Sequence, residues 1–297
     1  MTILLTGATG FLGKEIQTAF KNSAEIITLG RSEDAMIHCD LSTQIPKLPS
    51  LEMVIHAAGK AHIVPKTQAE RLDFNKVNVQ GTSNLLQGLE NNNSLKKIVF
   101  ISSVAVYGLF EGTNIKEETP LLASDAYGES KIAAEKLVIN WCISHKIQYY
   151  ILRLPLIAGK NAPGNLGAMV NGIKKGKYLS IGKGAAVKSI VLASDVAQFI
   201  KSIEGASGIY NLSDGYNPSF NELENKIAIF YNKKNPVSLP IITVKLLGIA
   251  GDIIGAKFPI NSNKIKKITS NLTFDDSKAR AALNWNPNEV LKAWEIE

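Results

Sequence analysis

Cysteine is scarce in this sequence. Cys39 and Cys142 are the two cysteines among 297 residues, and they lie far apart in apolar surroundings. A disulfide framework is not expected, because such scaffolds need several closely spaced cysteines. The first residues, MTILLTGATG, run directly into a strand pattern and carry no cleavage site of a signal peptide. These features predict a cytoplasmic protein with two free thiols.

Histidine is also rare, with four in the chain, and His56 and His62 have no second cluster of Cys, Asp or Glu at metal-ligand spacing. A zinc site is therefore not expected, and we assign no metal ligand. His56 ends an apolar strand pattern, EMVIH. We interpret it as a core histidine whose hydrogen bonds are satisfied.

Long hydrophobic runs are missing as well. The most apolar late segment, residues 242–256, contains Lys245 and Asp252 and is too short to span a bilayer. No membrane span is predicted. The segment predicts a buried or half-buried helix, with a membrane-surface helix as the alternative.

A dense basic stripe with interleaved aromatic residues is absent, although the net charge is +7 and the pI is about 9.2. Nucleic-acid binding is therefore not expected. A basic balance without such a stripe is compatible with an anionic small molecule as the partner.

What the sequence does contain is an alternation of short apolar runs and helical patterns. Such alternation is typical of a parallel sheet covered by helices on both faces, a doubly wound α/β fold. The predicted strands are 2–7, 25–30, 52–59, 96–103 and 148–155, and the predicted helices are 11–22, 69–91 and 125–145.

The rhythm breaks after Pro155, where a loop rich in Gly, Asn and Pro begins. Residues 189–200 and 208–214 read as a return to the sheet, and the chain from Tyr216 onward reads mainly as helix. We predict one domain from 1–155 and 189–215. A smaller, mostly helical lobe from 156–188 and 216–297 would lie over the carboxyl edge of the sheet.

A glycine-rich turn, TGATGFLG, stands between the first strand and the first helix. Glycines allow the tight turn and let backbone N–H groups approach a pyrophosphate, which the helix N-terminus favours. A strand before and a helix after make this a specific dinucleotide-binding signal. The residues assigned to it are Gly7, Thr9, Gly10, Phe11, Leu12 and Gly13.

The residues at the end of the second strand indicate whether the cofactor's ribose carries a 2′-hydroxyl or a 2′-phosphate. An acid there would bind a 2′-hydroxyl, whereas an arginine accommodates a 2′-phosphate. This strand ends in Gly30 and is followed by Arg31 and Ser32, which favour NADP(H). Glu33 and Asp34 come next and are close enough in sequence to reach a hydroxyl, so NAD(H) remains the alternative.

A candidate catalytic group lies in the segment SDAYGESKIAAEK. Tyr127 and Lys131 are four residues apart and share one face of a predicted helix. An ammonium near a phenol lowers the phenol's pKa, and a tuned tyrosine can transfer a proton near neutral pH. Ser103 ends the preceding strand, at the edge where ligands bind in such sheets, and can hold a carbonyl oxygen.

With these motifs in place, the sequence resembles the extended short-chain dehydrogenase/reductases, in their nucleotide-sugar epimerase/dehydratase branch. The matching motifs are TGATGFLG, CDL, HAAG, NVQGT, SSVAVYG, YGESK and LRLPLIAG, followed by NLSDG and LNWNP near the C-terminus. The resemblance implies a Rossmann domain and a nicotinamide cofactor. It implies Ser103, Tyr127 and Lys131 as catalytic residues, the last two also at the cofactor. The further cofactor residues that it implies are Asp40, Leu41, Ala57, Ala58, Gly59 and Asn78.

The two residues after Ser103 reduce the number of reactions that the resemblance allows. Sugar 4,6-dehydratases of this branch carry an Asp–Glu pair there, whereas this chain has Val104 and Ala105, which cannot move a proton. Dehydration is disfavoured, and 4-epimerisation or 4-ketoreduction remains. The segments HAAGKAHIV and NLTFDDSKARAALNWNP resemble enzymes that reduce UDP-4-keto-6-deoxy-N-acetylhexosamines in surface-polysaccharide synthesis. We therefore predict an NADPH-dependent 4-ketoreductase. The alternatives are a UDP-sugar 4-epimerase with tightly bound NAD and a non-catalytic NADP-binding module.

Substrate contacts are also implied by the resemblance. Asn165 opens a helix where family members contact the substrate's phosphates, and Lys188 stands where they often have an arginine. A lysine binds phosphate as a point charge, without the bidentate fork of arginine. His62 is assigned to the substrate cleft, with a plain loop position as the alternative. By analogy with relatives, we expect a homodimer formed by helices 69–91 and 125–145.

Overall fold

The computed structural model describes residues 1–61, 63–254 and 262–297. The strands are β1 (Thr2–Thr6), β2 (Glu25–Gly30), β3 (Ile37–His38), β4 (Met53–His56), β5 (Lys97–Ser103), β6 (Gly112–Ile115), β7 (Gln148–Leu154), β8 (Leu156–Ala158), β9 (Leu179–Ile181), β10 (Ile190–Leu192), β11 (Gly208–Asn211), β12 (Val237–Leu239) and β13 (Leu272–Phe274). The α-helices are α1 (Phe11–Phe20), α2 (Gln68–Phe74), α3 (Gly81–Gly88), α4 (Ala126–His145), α5 (Gly164–Lys174), α6 (Ala193–Ser202), α7 (Phe220–Phe230), α8 (Ile241–Ile254), α9 (Ser262–Thr269), α10 (Ser277–Leu283) and α11 (Val290–Ala293).

A seven-stranded parallel sheet forms the centre of the molecule, with the strand order β11-β7-β5-β4-β1-β2-β3. Strand β1 lies inside the sheet, and its side chains point alternately to the two faces. Ile3 and Leu5 join a core with α1 and α6, while Leu4 joins a second core with α3 and α4. Both faces of β1 are thus buried, which explains its continuous apolar sequence. The predicted doubly wound Rossmann fold is confirmed.

Two predicted elements differ from the structure. The segment predicted as one helix over 69–91 is α2, then a π-helical turn at Asn75–Gln80, then α3. Within 189–200, predicted to return to the main sheet, β10 pairs with β8 instead, and α6 follows. Strand β11 does join the main sheet, beside β7.

The later chain builds a third core around α5, α7 and α11. Asp214, just after β11, connects the main sheet to α11. Its carboxylate accepts hydrogen bonds from the N–H groups of Tyr216, Asn217 and Val290. The indole of Trp285 donates to the Ser213 carbonyl at 2.9 Å. The division into two lobes at the boundaries given above stays a prediction.

Within the described ranges, no helix combines the length and the apolar character that crossing a bilayer requires. In the part of the chain that the structure describes, the longest helix is α4, with 20 residues that include Lys131 and Glu135.

Candidate active site

The glycine turn after β1 fits its neighbours so closely that it has no room for side chains. Gly7 has a φ of +73°, and a Cβ there would lie 2.7 Å from the backbone of Ala57 and Ala58. A Cβ on Gly13 would lie 2.1 Å from the Gly7 carbonyl oxygen. The turn, the start of α1 and the end of β4 are therefore in backbone contact, as a dinucleotide-binding turn requires.

The N-terminus of α1 is left without a protein cap. Gly10 is the N-cap residue, no side chain bonds to the first N–H groups, and the first turn contains no acid. Such a terminus is suited to an anion. Thr9 is exposed beside it, Leu12 is buried, and Phe11 packs against Gly159, whose Cβ position is 2.9 Å from the ring. The predicted pyrophosphate residues thus form one cradle.

Arg31 and Ser32 follow the end of β2 directly. Arg31 is exposed, and the Ser32 hydroxyl accepts the N–H of Asp34 at 3.4 Å. Glu33 and Asp34 are also exposed. The turn therefore presents one cation and two carboxylates near the place where a cofactor's adenosine ribose would lie.

A second cation, Lys76, shares this region, which the sequence reading missed. Hydrogen bonds from Ser42 lower the pKa of the Asp40 carboxyl, and the positive charges of Arg31 and Lys76 lower it further. Leu41 is buried next to Asp40. Lys76 lies on the π-helical turn, 45 positions after Arg31, so no local sequence signal connects the two.

The catalytic segment is held by the start of α4. Asp125 caps this helix, because its side chain accepts the N–H groups of Tyr127 and Gly128. A Cβ on Gly128 would lie 2.4 Å from Ala123 Cβ and 2.9 Å from the Ala105 carbonyl oxygen. Glycine at this position lets α4 approach the turn that follows β5, and this brings Tyr127 to the edge of the sheet.

Tyr127 and Ser103 are within hydrogen-bonding reach of each other. Burial raises the pKa of Tyr127, the hydrogen bond with Ser103 lowers it, and the charge of Asp125 raises it. The ring also meets Phe74 edge to face, with centroids 6.3 Å apart. The expectation that the Lys131 ammonium lowers this pKa is wrong for the protein alone, because burial dominates and raises it.

Lys131 is almost fully buried, with 5% of its surface exposed. Its Nζ donates to the Ile101 carbonyl at 2.8 Å and lies 4.6 Å from the centroid of the Phe100 ring. Burial lowers the pKa of Lys131 to about 8, against the opposing effect of Glu135. The amine can therefore exist in both protonation states near neutral pH, which suits a group beside a proton-transferring tyrosine.

Asn78 connects this amine to the loop after β4. Its amide accepts the Lys60 N–H at 2.6 Å and donates to the Lys60 carbonyl and to the Ser130 hydroxyl. A Cβ on Gly59 would lie 3.2 Å from the Asn78 oxygen and 3.3 Å from Lys131 Nζ. Gly59, Asn78 and Lys131 therefore meet, although they come from three different segments.

These groups form one continuous edge of the sheet, from the glycine turn to Tyr127. The sequence profile described as the NAD dependent epimerase/dehydratase family matches residues 3–212. The chain belongs to this family. It is an enzyme of the extended short-chain dehydrogenase/reductase class, as the sequence motifs predicted.

Relatives in this family match along nearly the whole chain. The N-acetyl-alpha-D-glucosaminyl-diphospho-ditrans,octacis-undecaprenol 4-epimerase of Escherichia coli O157:H7 is 29% identical, over 94% of this chain and 89% of that protein. The UDP-glucose 4-epimerase of Vibrio cholerae is 27% identical, over 98% and 92%. The solved UDP-glucose 4-epimerase of Thermotoga maritima superimposes with a TM-score of 0.77, at 20% identity and over 97% and 94%, which shows the same fold.

A chain of hydrogen bonds that the sequence did not predict supports the cofactor edge of this family member. The Ala58 N–H donates to the Thr6 hydroxyl at 3.1 Å, and that hydroxyl meets His56 Nδ1 at 2.7 Å. His56 Nε2 meets the Thr82 hydroxyl at 3.0 Å, and Thr82 donates to the Asn78 carbonyl at 2.6 Å. The directions agree only if neutral His56 accepts at Nδ1 and donates at Nε2.

His56 is therefore the satisfied core histidine that the sequence predicted. Burial lowers its pKa to about 3, and the charge of Lys131 contributes to the same shift. The ring remains neutral at physiological pH, so its two hydrogen bonds keep a fixed direction.

A second unpredicted network lies beneath the catalytic residues. Arg153 and Glu135 form a bidentate ion pair at 2.7 and 3.1 Å, with 1% and 2% of their surfaces exposed. The Ser102 hydroxyl also donates to Glu135. Arg153 donates to the Tyr107 hydroxyl, which donates to Asn211 at 2.7 Å. This network joins α4 to β5, β7 and β11 directly below Ser103.

The structure does not bring every predicted substrate residue to the catalytic group. Asn165 is exposed on the first turn of α5. Lys188 is buried, and its ammonium donates to the Lys267 carbonyl at 2.8 Å, while burial lowers its pKa to about 8. His62 lies outside the described residues. The substrate role of all three stays a prediction.

Proposed function

We propose that this enzyme is an NADPH-dependent 4-ketoreductase of a UDP-4-keto-6-deoxy-N-acetylhexosamine. The observation that carries the proposal is the exposed Arg31 directly after β2, ahead of Glu33 and Asp34, because an arginine at this position favours a 2′-phosphate. Lys76, on the π-helical turn, is a second cation near Asp40. An exchangeable NADPH is the cofactor that a one-way reduction consumes, whereas an epimerase regenerates its cofactor in each turnover.

Each catalytic side chain has a distinct part in this reaction. A dinucleotide held through its pyrophosphate by the glycine turn would supply, from its nicotinamide ring, the hydride for carbon 4 of the sugar. Ser103 donates a hydrogen bond to the carbonyl oxygen, and Tyr127 gives that oxygen its proton. Lys131 stabilises the phenolate that remains. The burial that raises the pKa of Tyr127 supports this direction, because it keeps the phenol protonated until it is needed.

The cofactor preference can be tested at the two cations. We expect Arg31→Ala and Lys76→Ala each to weaken NADPH binding roughly ten- to hundredfold, because a charge-assisted contact to phosphate contributes about 1.5–3 kcal/mol. NADH binding should change less than twofold. Fluorescence titration of both cofactors measures this, with Arg71→Ala as a control that removes a surface arginine paired with Glu129. An unchanged NADPH-to-NADH ratio in both variants would remove the basis for NADP(H).

A 4-epimerase is the second candidate. It is favoured by the relatives, because two 4-epimerases, one acting on an undecaprenol-diphosphate-linked sugar and one on UDP-glucose, match more than nine tenths of this chain. In that reaction Tyr127 would first take the proton of the 4-hydroxyl and later return it. The same residues serve both directions.

One experiment separates the two reactions. The purified protein is incubated with UDP-4-keto-6-deoxy-N-acetylglucosamine and NADPH, and separately with UDP-N-acetylglucosamine without added cofactor. Reduction predicts stoichiometric NADPH consumption in the first mixture only. Epimerisation predicts a 4-epimer in the second mixture, read by NMR. Conversion of neither sugar would contradict both candidate reactions.

We also infer a cytoplasmic homodimer. Both cysteines are free and buried, which is typical of proteins from a reducing compartment. Leu72 on α2 and Ile143 on α4 are 60% and 63% exposed, on the two helices that dimer formation would cover. Sedimentation velocity gives the assembly state, and a monomer at micromolar concentration would contradict this inference.

A further inference from the structure

Helix α8 carries an exposed apolar stripe. Ile242, Leu246 and Ile249 are 72%, 63% and 54% exposed, and their spacing of four and three residues places them on one face. Val244, on the opposite face, is 1% exposed. The helix therefore uses one side for the core and leaves large aliphatic side chains in contact with water. Grouped apolar exposure of this kind marks an interaction surface.

Two further exposed aliphatic side chains lie on the strand pair that adjoins α8. Strands β9 and β12 pair in parallel, and each contributes an exposed aliphatic residue, Leu179 at 53% and Val237 at 70%. Gly182, just after β9, would carry a Cβ 3.4 Å from the side chain of Ile241. The strands and α8 therefore adjoin. We call Leu179, Val237, Ile242, Leu246 and Ile249 the aliphatic face.

Positive charge is concentrated in the same part of the chain. Residues 174–188 and 231–271 contain twelve of the 33 basic residues, all lysines, and only one of the 26 acidic residues. The rest of the chain has 21 basic and 25 acidic residues and is net negative. The excess charge of the protein therefore belongs to the segments that build the aliphatic face.

Lys174 and Lys266 are paired with Glu297 and Glu111, and one lysine stands directly beside the stripe. Lys245 is exposed, three residues after Ile242 and four before Ile249, so it stands beside the stripe. The one acid of these segments, Asp252, accepts the N–H of Ser262 at 3.1 Å, where α9 begins. Its charge is engaged at that helix terminus.

We propose that the aliphatic face docks on the surface of an anionic lipid bilayer. Aliphatic side chains beside lysines are the combination that binds at the lipid headgroup boundary, since apolar burial adds to attraction by anionic lipids. A soluble acidic partner would account for the lysines but leave the aliphatic stripe unmatched. A second copy of the chain would bring like charges together.

This surface lies close to the residue predicted to contact the phosphates of the substrate. Lys188, the predicted phosphate contact, donates to Lys267 at the end of α9. Helix α9 packs closely on α8, because a Cβ on Gly248 would lie 2.3 Å from the side chain of Ile265. A docked molecule would therefore hold its substrate lobe at the bilayer. The docking proposal is independent of the reaction, since lipid binding is measured without sugar or cofactor.

The test is co-sedimentation of the purified full chain with vesicles of phosphatidylglycerol and phosphatidylethanolamine, compared with vesicles of phosphatidylcholine. We expect binding to the anionic vesicles that falls steeply with added salt. Ile242→Gln combined with Leu246→Gln should weaken it about tenfold or more, because two aliphatic side chains no longer enter the lipid. Lys245→Gln should weaken it about fivefold.

The matched control is Ile45→Gln combined with Leu122→Gln, which removes two aliphatic side chains exposed at 55% and 66% away from α8 and from the helices of the inferred dimer. Circular dichroism and melting temperature establish that all variants are folded. The proposal is overturned if anionic vesicles bind no better than neutral ones, or if the α8 and control variants lose binding equally. It is also overturned if sedimentation velocity shows an association of the chain with itself that the α8 variant abolishes.

Discussion

At the scale of single residues, Tyr127 is the group on which the proposed chemistry depends. Tyr127→Phe removes the proton donor and keeps the ring that packs against Phe74. We expect turnover to fall roughly 10²–10⁴-fold, the usual contribution of a positioned acid, with cofactor affinity changed less than twofold. Steady-state kinetics and cofactor titration measure the two effects. Tyr216→Phe, at a 48% exposed tyrosine, is the control. Full activity in Tyr127→Phe would exclude the mechanism.

His56 makes stability depend on pH. Its pKa is 6.5 in the unfolded chain and about 3 in the folded protein. Below pH 6.5 the unfolded chain therefore binds a proton that the folded protein does not, and stability is lost as pH falls toward the folded pKa. Between pH 7 and pH 5 this loss is about 2 kcal/mol.

Urea unfolding at the two pH values tests this dependence. His56→Gln should be less stable than the parent at pH 7 but should lose about 2 kcal/mol less on acidification. His38→Gln, at an exposed histidine, should behave like the parent. Equal pH dependence in the parent and His56→Gln would show that another group causes the acid sensitivity.

At the scale of elements, the start of α4 sets the position of Tyr127. Gly128→Ala places a methyl group 2.4 Å from Ala123 Cβ, so the helix must shift. We expect kcat to fall about 10²-fold with cofactor binding retained, because a displacement near 1 Å has this effect on a catalytic group. Adding Ala123→Gly removes one of the two obstacles and should restore part of kcat. An unchanged kcat in Gly128→Ala would mean that Gly128 does not set this position.

The sequence predicted the elements that carry strong local signals. The α4 range was correct because Asp125 is a good N-cap residue and the apolar pattern is long. The π-helical turn at Asn75–Gln80 was missed because its residues are ordinary helix residues, and the wider turn is a consequence of packing. The edge strand β3 was missed because it has two residues.

At the scale of the whole molecule, the ion pair of Arg153 and Glu135 joins the sheet to α4 out of contact with water. Arg153→Met leaves a buried carboxylate unpaired, and we expect a loss of about 3–5 kcal/mol in the free energy of unfolding. Arg153→Met combined with Glu135→Leu should recover more than half of this loss. Urea denaturation measures both. A double variant no more stable than the single one would show that the pair itself supplies the stability.

The glycine turn, Ser103, Tyr127 and Lys131 were predictable because each sits in a short motif. The partners of Arg153 were not, since Tyr107 and Asn211 lie 46 and 58 positions away from it. Only the folded sheet brings them together. Lys76 and Arg31 are likewise far apart in sequence and adjoin only in the folded protein. The lysine-rich segments 174–188 and 231–271 are also separate in sequence and meet where β9 pairs with β12.

The wide turn at Asn75–Gln80 also sets the phase of the helices on either side. An α-helix advances about 100° per residue. Deleting one residue of the turn would therefore rotate the side chains of α3 by about 100° relative to those of α2. Phe74 could still meet Tyr127, with ring centroids 6.3 Å apart. Gly81, whose Cβ position is 3.6 Å from Leu41, would then face away from it. The extra residue of the π-helical turn thus allows α2 to contact Tyr127 through Phe74 while α3 contacts Leu41 through Gly81.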